Sequence, residues 1–312
     1  MAEIITANNI VKRYAQHTAL NDVSIHVPEG TIYGLLGPNG AGKTSMIRII
    51  NQITGPDSGE VFFYGEKLAP HHTSKIGYLP EERGLYKKMK VGEQALYLAE
   101  LKGMDKKEAL AKLKEWFKKF EIITWWDKKV EELSKGMAQK VQFIVTVLHE
   151  PKLLILDEPF SGFDPINVEL IKSELLRLRE QGTTIILSSH NMSSVEELCN
   201  NITLINHSKS VLEGSVKEIK QRYKEHVWKL EFTGDPESFK GAIQGKYELL
   251  SMGNEDGMHV ARVKIAAQLT PNDLLTSLLP KCVIHGFSEI LPSMNEIFIS
   301  AVKQEPFKQA RV

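Results

Sequence analysis

Ile32-Tyr-Gly-Leu-Leu-Gly-Pro-Asn-Gly-Ala-Gly-Lys-Thr-Ser-Met46 carries the strongest structural signal in the chain. Its first five residues, Ile32–Leu36, are an apolar run of strand length. Its end opens a helix near Gly42 that continues through Met46, Ile47, Ile49 and Ile50. Between the two, Gly37–Thr44 fits the pattern GxxxxGK[ST] in its required strand–loop–helix setting. The chemistry behind the pattern is direct. Triphosphate oxygens need many donors, and glycines let backbone N–H groups come close. The start of a helix adds partial positive charge. Gly37, Pro38, Asn39, Gly40, Ala41, Gly42, Lys43, Thr44 and Ser45 are therefore the expected phosphate cradle. Lys43 is expected to reach the β- and γ-phosphates, and the Thr44 hydroxyl to ligate Mg²⁺. Alone, this loop says only that the chain binds a nucleoside triphosphate.

Further along, Leu153-Leu-Ile-Leu-Asp157-Glu158 is an apolar strand ending in two acids. Such an ending is common by itself, but a phosphate loop requires an acid of this kind. Asp157 is expected to hold the metal, and Glu158 to orient and deprotonate an attacking water. Phosphoryl transfer depends on positioning and charge stabilisation more than on covalent steps.

On either side of these two stretches, Ile4–Ile5, Val23–Val27, Glu60–Tyr64, Thr184–Leu187 and Ile202–Ile205 read as strands, with turns at Pro28–Gly30 and Gly55–Gly59. A helix lies around Val168–Glu180. Strands alternating with helices imply a mostly parallel sheet. From about 88 to 150 the pattern is helical and interrupts that sheet. Leu110, Leu113, Phe117 and Phe120 share one helical face, and Met137, Val141, Ile144, Val145 and Leu148 another. Lys106, Lys107, Lys112 and Lys114 read as a solvated face. Trp125 and Trp126 read as core aromatics, with an anchor for a partner as the alternative.

After about 224 the rhythm changes. A strand at Trp228–Phe232, a helix at Pro236–Ile243, strands at Tyr247–Met252 and His259–Ile265, a helix opened by Thr270–Asp273 and a strand at Cys282–Ile290 give the ferredoxin-like order. Ser293-Met-Asn-Glu296 is a capping box for a last helix. The fold class is thus α/β: a phosphate-loop core over 1–223 with a helical insertion, then a small α+β domain over 224–312.

Bulk composition narrows the function. The 312 residues carry 39 Lys+Arg and 39 Asp+Glu, so no net charge draws the chain to nucleic acid or anionic lipid. The two cysteines, Cys199 and Cys282, lie far apart, form no metal motif and fit a reducing compartment. The first residues lack a signal-peptide pattern, and no apolar run approaches the roughly 18 residues of a membrane span. Work at a membrane would need a partner to hold the chain there.

Leu133-Ser-Lys-Gly-Met137 opens the second helical stripe, with Ser134 standing 23 residues before Asp157. With this segment the chain resembles the ATPases of ABC transporters, where it is similar to the LSGGQ signature. Ser161-Gly-Phe-Asp164 resembles the family's D-loop, Ile76-Gly-Tyr-Leu-Pro-Glu81 its Q-loop, and His190 its switch histidine. Tyr14 stands where the family carries the aromatic that stacks on adenine. These motifs occur in family order over about residues 3–220.

The resemblance implies ATP and Mg²⁺ as cofactors. It gives Glu158 and His190 catalytic roles, and Tyr14, the phosphate loop, Ser134 and Gly136 contacts to ATP. Thr44, Asp157 and Glu81 would hold the metal. It also implies a head-to-tail dimer with a second copy or a close relative, each ATP lying between one chain's loop and the other's signature. A separate transmembrane permease at the cytoplasmic face would be the further partner, and no nucleic acid is expected.

Lys135 replaces a glycine of the signature, Met137 its glutamine, and Glu81 the glutamine of the Q-loop. A carboxylate at 81 still ligates a metal but cannot donate as an amide does. Similar departures and a similar C-terminal extension occur in an exporter group that resembles sodium-extrusion and antibiotic-export systems. The extension reads as a packing or dimer-stabilising domain, with a ligand sensor as the alternative. The rival function is a non-transport ABC ATPase acting on ribosome or DNA. Against it stand a single phosphate loop and the lack of coiled-coil or zinc modules.

Overall fold

A computed structural model of the chain describes residues 2–15, 17–81 and 84–303. The chain divides into two compact units between Val216 and Lys217.

The first unit opens with two long strands, β1 (Glu3–Tyr14) and β2 (His17–Pro28), and the short β3 (Ile32–Leu36). Helix α1 (Lys43–Ile50), β4 (Ser58–Phe63), β5 (Glu66–Lys67) and β6 (Ile76–Leu79) follow. The helical insertion holds α2 (Val91–Leu101), α3 (Lys106–Lys119) and α4 (Lys135–Val147). The chain then returns to the sheet through β7 (Leu153–Asp157), α5 (Pro165–Glu180), β8 (Thr184–Ser189), α6 (Met192–Leu198), β9 (Asn201–Asn206) and β10 (Lys209–Ser215).

Two sheets result. One is antiparallel, in the order β2-β1-β4-β5. The other runs β10-β9-β3-β8-β7-β6 and is parallel except for the β9–β10 hairpin. Every residue of β3, β7 and β8 is buried. That is why these strands read as unbroken apolar runs, as expected of strands covered on both faces. One core joins the two sheets: Ile4, Ile10 and Val27 pack with Tyr33, Leu35, Met46 and Ile155.

In the helical insertion, Phe117, Phe120 and Phe143 are fully buried. Trp126 sits edge-on to Phe117 at 5.4 Å, and its carbonyl accepts a bond from Gly92 N. This half-buried tryptophan is a packing residue of the insertion. Trp116 of α3 lies 5.5 Å from both the Lys119 ammonium and the Arg177 guanidinium. Both cations also bond Glu174, a buried carboxylate of α5. A paired acid of this kind tolerates burial that a lone one would not.

The second unit begins within α7 (Val216–Arg222), so the change of rhythm near 224 precedes its first strand and not its first residue. It continues through β11 (Val227–Thr233), α8 (Pro236–Ile243), β12 (Glu248–Glu255), β13 (Met258–Lys264), α9 (Pro271–Leu278), β14 (Val283–Ile290) and α10 (Met294–Lys303). The sheet order β12-β13-β11-β14, antiparallel throughout, is the split βαβ arrangement. Leu230, Phe232, Phe239, Val263, Leu274 and Leu278 form its core, with Phe232 stacked on Phe239 at 4.3 Å. Helices α8 and α9 both carry side-chain caps, and that of α9 is the one its sequence predicts. Asp235 accepts from Glu237 N and Ser238 N, and Thr270 and Asp273 form a reciprocal box.

Cys199 and Cys282 are buried and unpaired, and burial pushes the Cys199 thiol up to about 12. No helix among the described residues is long and apolar enough to cross a membrane.

Candidate functional site

The register of the parallel sheet assembles the site. Leu36 of β3 lies opposite Ser189 of β8, and Asp157 of β7 opposite Ser188. Three adjacent strands therefore end level. The residues that follow them, Gly37, Glu158 and His190, emerge at one rim, where open α/β sheets bind ligands.

The loop after β3 is shaped by close backbone approaches. A Cβ on Gly37 would fall 2.1 Å from the carbonyl oxygen of Ile205, and one on Gly42 2.3 Å from that of Ala19. Only glycine fits either place, and both have left-handed φ values, 146° and 119°. Gly42 is also the N-cap of α1, so the helix starts inside the loop. Lys43 is 7% exposed, and its ammonium donates to the carbonyls of Gly37 (2.7 Å) and Pro38 (3.1 Å). Burial lowers its pKa, while Glu158, Asp157 and Glu81 oppose that shift.

The acids stand opposite. Asp157 is 3% exposed, and its Oδ2 lies 3.4 Å from the Thr44 hydroxyl. Burial raises its pKa, with the Ser188 hydroxyl opposing, Glu81 and Glu158 adding to the rise, and Lys43 opposing. Glu158 has a left-handed backbone, φ 49°, although it is not glycine. Its Oε1 is 2.7 Å from Nδ1 of His190, which is largely exposed.

A cleft of about 360 Å³ gathers most of the residues singled out above. Tyr14, Asn39, Gly40, Gly42, Lys43, Thr44, Ser45, Glu81, Asp157 and Glu158 line it. His190 joins through Glu158, and the Gly37 carbonyl through Lys43. Pro38 and Ala41 line a neighbouring depression that shares Asn39 and Gly40. Tyr14, at the end of β1, is 39% exposed, with the Lys12 ammonium 5.5 Å from its ring. His17 and Ala19 also line the cleft. Nothing in their own stretch of sequence marks them, because the fold of β2 over the loop brings them there. Ser134 and Gly136 are not among the described residues that line it. Ser134 instead caps α4, its hydroxyl accepting from Met137 N at 3.3 Å.

Lys43 is the one cation lining this cleft among its described residues, against the carboxylates of Glu81, Asp157 and Glu158. Oxygen donors around a backbone loop rich in N–H groups suit a polyphosphate accompanied by a hard cation.

Known proteins are similar to this chain in sequence and fold. The family model described as ABC transporter matches residues 20–161. One described as ATP-binding protein DrrA1-3-like, C-terminal domain, matches 214–302. A third, an AAA domain described as putative AbiEii toxin, matches 128–196, from shortly before the α4 cap into α6. The ABC transporter ATP-binding protein YhaQ of Bacillus subtilis is 41% identical over 302 residues, 96% of this chain and 98% of the relative. The bacitracin transport ATP-binding protein BcrA of Enterococcus faecalis is 33% identical over 265 residues, 82% of this chain and 83% of its own. A solved ATP-binding subunit of an ABC transporter superposes with a TM-score of 0.66 at 27% identity, covering 70% of this chain and 93% of that one. The phosphate loop, the level strand ends and these relatives along nearly the whole length agree, and the chain belongs to the family of ABC transporter ATP-binding proteins.

Proposed function

We propose that this ATP-hydrolysing transporter subunit works as an ATP-bridged dimer on the cytoplasmic face of a membrane, driving export through a separate permease. The observation that carries the catalytic part is the Glu158–His190 pair at the rim of the phosphate loop. ATP lies with its triphosphate in the loop of residues 37–45 and its adenine against Tyr14. Lys43 leaves the carbonyls of Gly37 and Pro38 for the phosphates. Thr44, Asp157 and Glu81 offer the hard oxygen donors that suit Mg²⁺. When bound, that ion neutralises phosphate charge beside the three carboxylates. Glu158 orients a water in line with the γ-phosphorus and takes its proton as the new P–O bond forms. The bond to the β,γ-bridging oxygen breaks, leaving ADP and inorganic phosphate. His190 holds the Glu158 carboxylate in place.

The dimer is supported by what the cleft lacks. The N-terminus of α4, with Ser134 and Gly136, is a ready anion site, yet it does not line this chain's own cleft. It serves the ATP of a second chain. Hydrolysis then removes the ligand that favours the closed pair, and that differential affinity is what can drive a permease. Export rests on the resemblance to the exporter group and on the bacitracin transport relative.

Glu158→Gln tests the reading. It should cut phosphate release more than about 100-fold, in the range for losing a group that acts on the reacting atoms. It should also leave an ATP-bound dimer visible by size exclusion. Normal phosphate release by this variant would remove Glu158 as the base.

A further inference from the structure

The backbone at Glu158 poses a problem that its neighbours solve. A φ of 49° is sterically unfavourable for a residue with a side chain, and such a conformation persists only when the surroundings impose it. Two restraints come from the sheet and the turn itself. Glu158 N donates to the carbonyl of Ser188 at 3.0 Å, and Ser161 N donates to the carbonyl of Glu158 at 3.1 Å. A third comes from outside the strands. The amide nitrogen of Gln139, on α4, donates to the carbonyl of Pro159 at 3.0 Å. Pro159 is the residue directly after the strained one.

The same helix grips the turn a second time. The side chain of Lys135 lies across Gly162, so that a Cβ there would fall 2.6 Å from Cε of the lysine. A Cβ on Gly136 would meet the carbonyl of Gly162 at 3.6 Å. The first turns of α4 therefore saddle the segment from Pro159 to Gly162. Gln139 stands five residues beyond Ser134, about 7.5 Å along the helix axis at the usual rise.

We infer that Gln139 is a positioning residue for hydrolysis: its amide fixes the turn that carries Glu158, and so ties the setting of this chain's base to the placement of the α4 N-terminus. The inference rests on the reading of Glu158 as the base. It also gives the Lys135 substitution a place, since the long stem covers Gly162 where a glycine at 135 would leave it bare. A shift of α4 pulls on the Pro159 carbonyl and on Gly162 together. The helix end that serves the second nucleotide and the base that serves the first then move as one piece.

The experiment is steady-state phosphate release by the full chain as a function of ATP, with thermal unfolding of each variant. Gln139→Met keeps the length of the side chain and removes the donor. Gln139→Glu keeps its shape, replaces the neutral amide by a carboxylate and also lacks the N–H. Gln139→Lys keeps a donor. Both donor-free variants should lose about tenfold in kcat, the loss of one aligned hydrogen bond by a factor of ten per ~1.4 kcal/mol, with KM for ATP within about twofold. The lysine variant should stay within about threefold of the parent. Should Gln139→Met unfold, Gln139→Glu carries the comparison. Equal losses in all three variants, or loss that follows melting temperature alone, would make Gln139 a packing residue and overturn the inference. So would parental kcat in the donor-free pair. Glu158→Gln separates the two readings. If it is inactive while Gln139→Met turns over normally, only this inference fails; if it is active, the base assignment fails with it.

Discussion

Both units cap helices with polar side chains, but the first also places acids where they oppose folding. In the second, carboxylates and hydroxyls sit at helix starts, as Asp235, Thr270 and Asp273 do, where each satisfies backbone N–H groups and helps the fold. In the first, the acids at the strand ends work against the fold. Asp157 is buried with a raised pKa, Glu158 holds a strained backbone, and Glu81 adds like charge beside them. A polar group that lowers folding stability where it stands is a mark of chemistry, and one that only caps a helix is a mark of architecture.

The contrast can be broken most forcefully at Lys43. Lys43→Ala should lower phosphate release about a thousandfold, the upper range for losing a positioned charge at a developing oxyanion, while the melting temperature holds or rises. A lysine that matters mainly for folding would give the reverse pattern. Phe239→Ala in the second unit should do what Lys43→Ala does not. It removes a ring stacked within the buried core and should cost about 3–5 kcal/mol in denaturant unfolding.

A smaller effect tests the sign of the strain at Asp157. Its pKa is raised in the folded state, so its ionised form weakens the fold at neutral pH. That penalty fades as pH falls through the folded pKa toward the ordinary aspartate value. Asp157→Asn should therefore raise the melting temperature by a few degrees at pH 7–8 in nucleotide-free, metal-free buffer. The gain should shrink on acidification, and a gain that grows toward low pH would reverse the assignment. The smallest effect is expected at the cap. Asp235→Ala should cost about 1 kcal/mol and leave phosphate release by the full chain unaltered.

The phosphate loop was legible because strand, glycines and helix are contiguous, so one window of sequence contains the whole device. The split βαβ order of the second unit was legible for a related reason: local alternation in its strands, the turn at 253–257 and the caps at Thr270 and Ser293 mark most of its elements. The long hairpin β1–β2 was not. Its register shifts between Ala7 and Ile10 and again before Lys12, and Asn9 and Asp22 take left-handed backbones there. Each shift resets which face a side chain occupies, so the alternation that signals a strand is lost after a few residues. Only the fragments Ile4–Ile5 and Val23–Val27 stood out. Gln139 was hidden for another reason. It lies next to an apolar helical stripe, and the carbonyl it serves belongs to Pro159, twenty residues away. Contacts of that span are set by the packing of α4 against the β7 loop, which local pattern does not encode.

The carbonyl of Ala19 at the loop's edge has a consequence for inheritance. The nearest obstacle that a side chain at position 42 would meet is main chain, 2.3 Å away; the tip of Leu20 at 2.8 Å can move aside, and the carbonyl cannot. Main chain is common to all amino acids, so no exchange at position 19 clears the space. A strain carrying Gly42→Ala should therefore yield true revertants under selection and few compensating changes elsewhere in the gene.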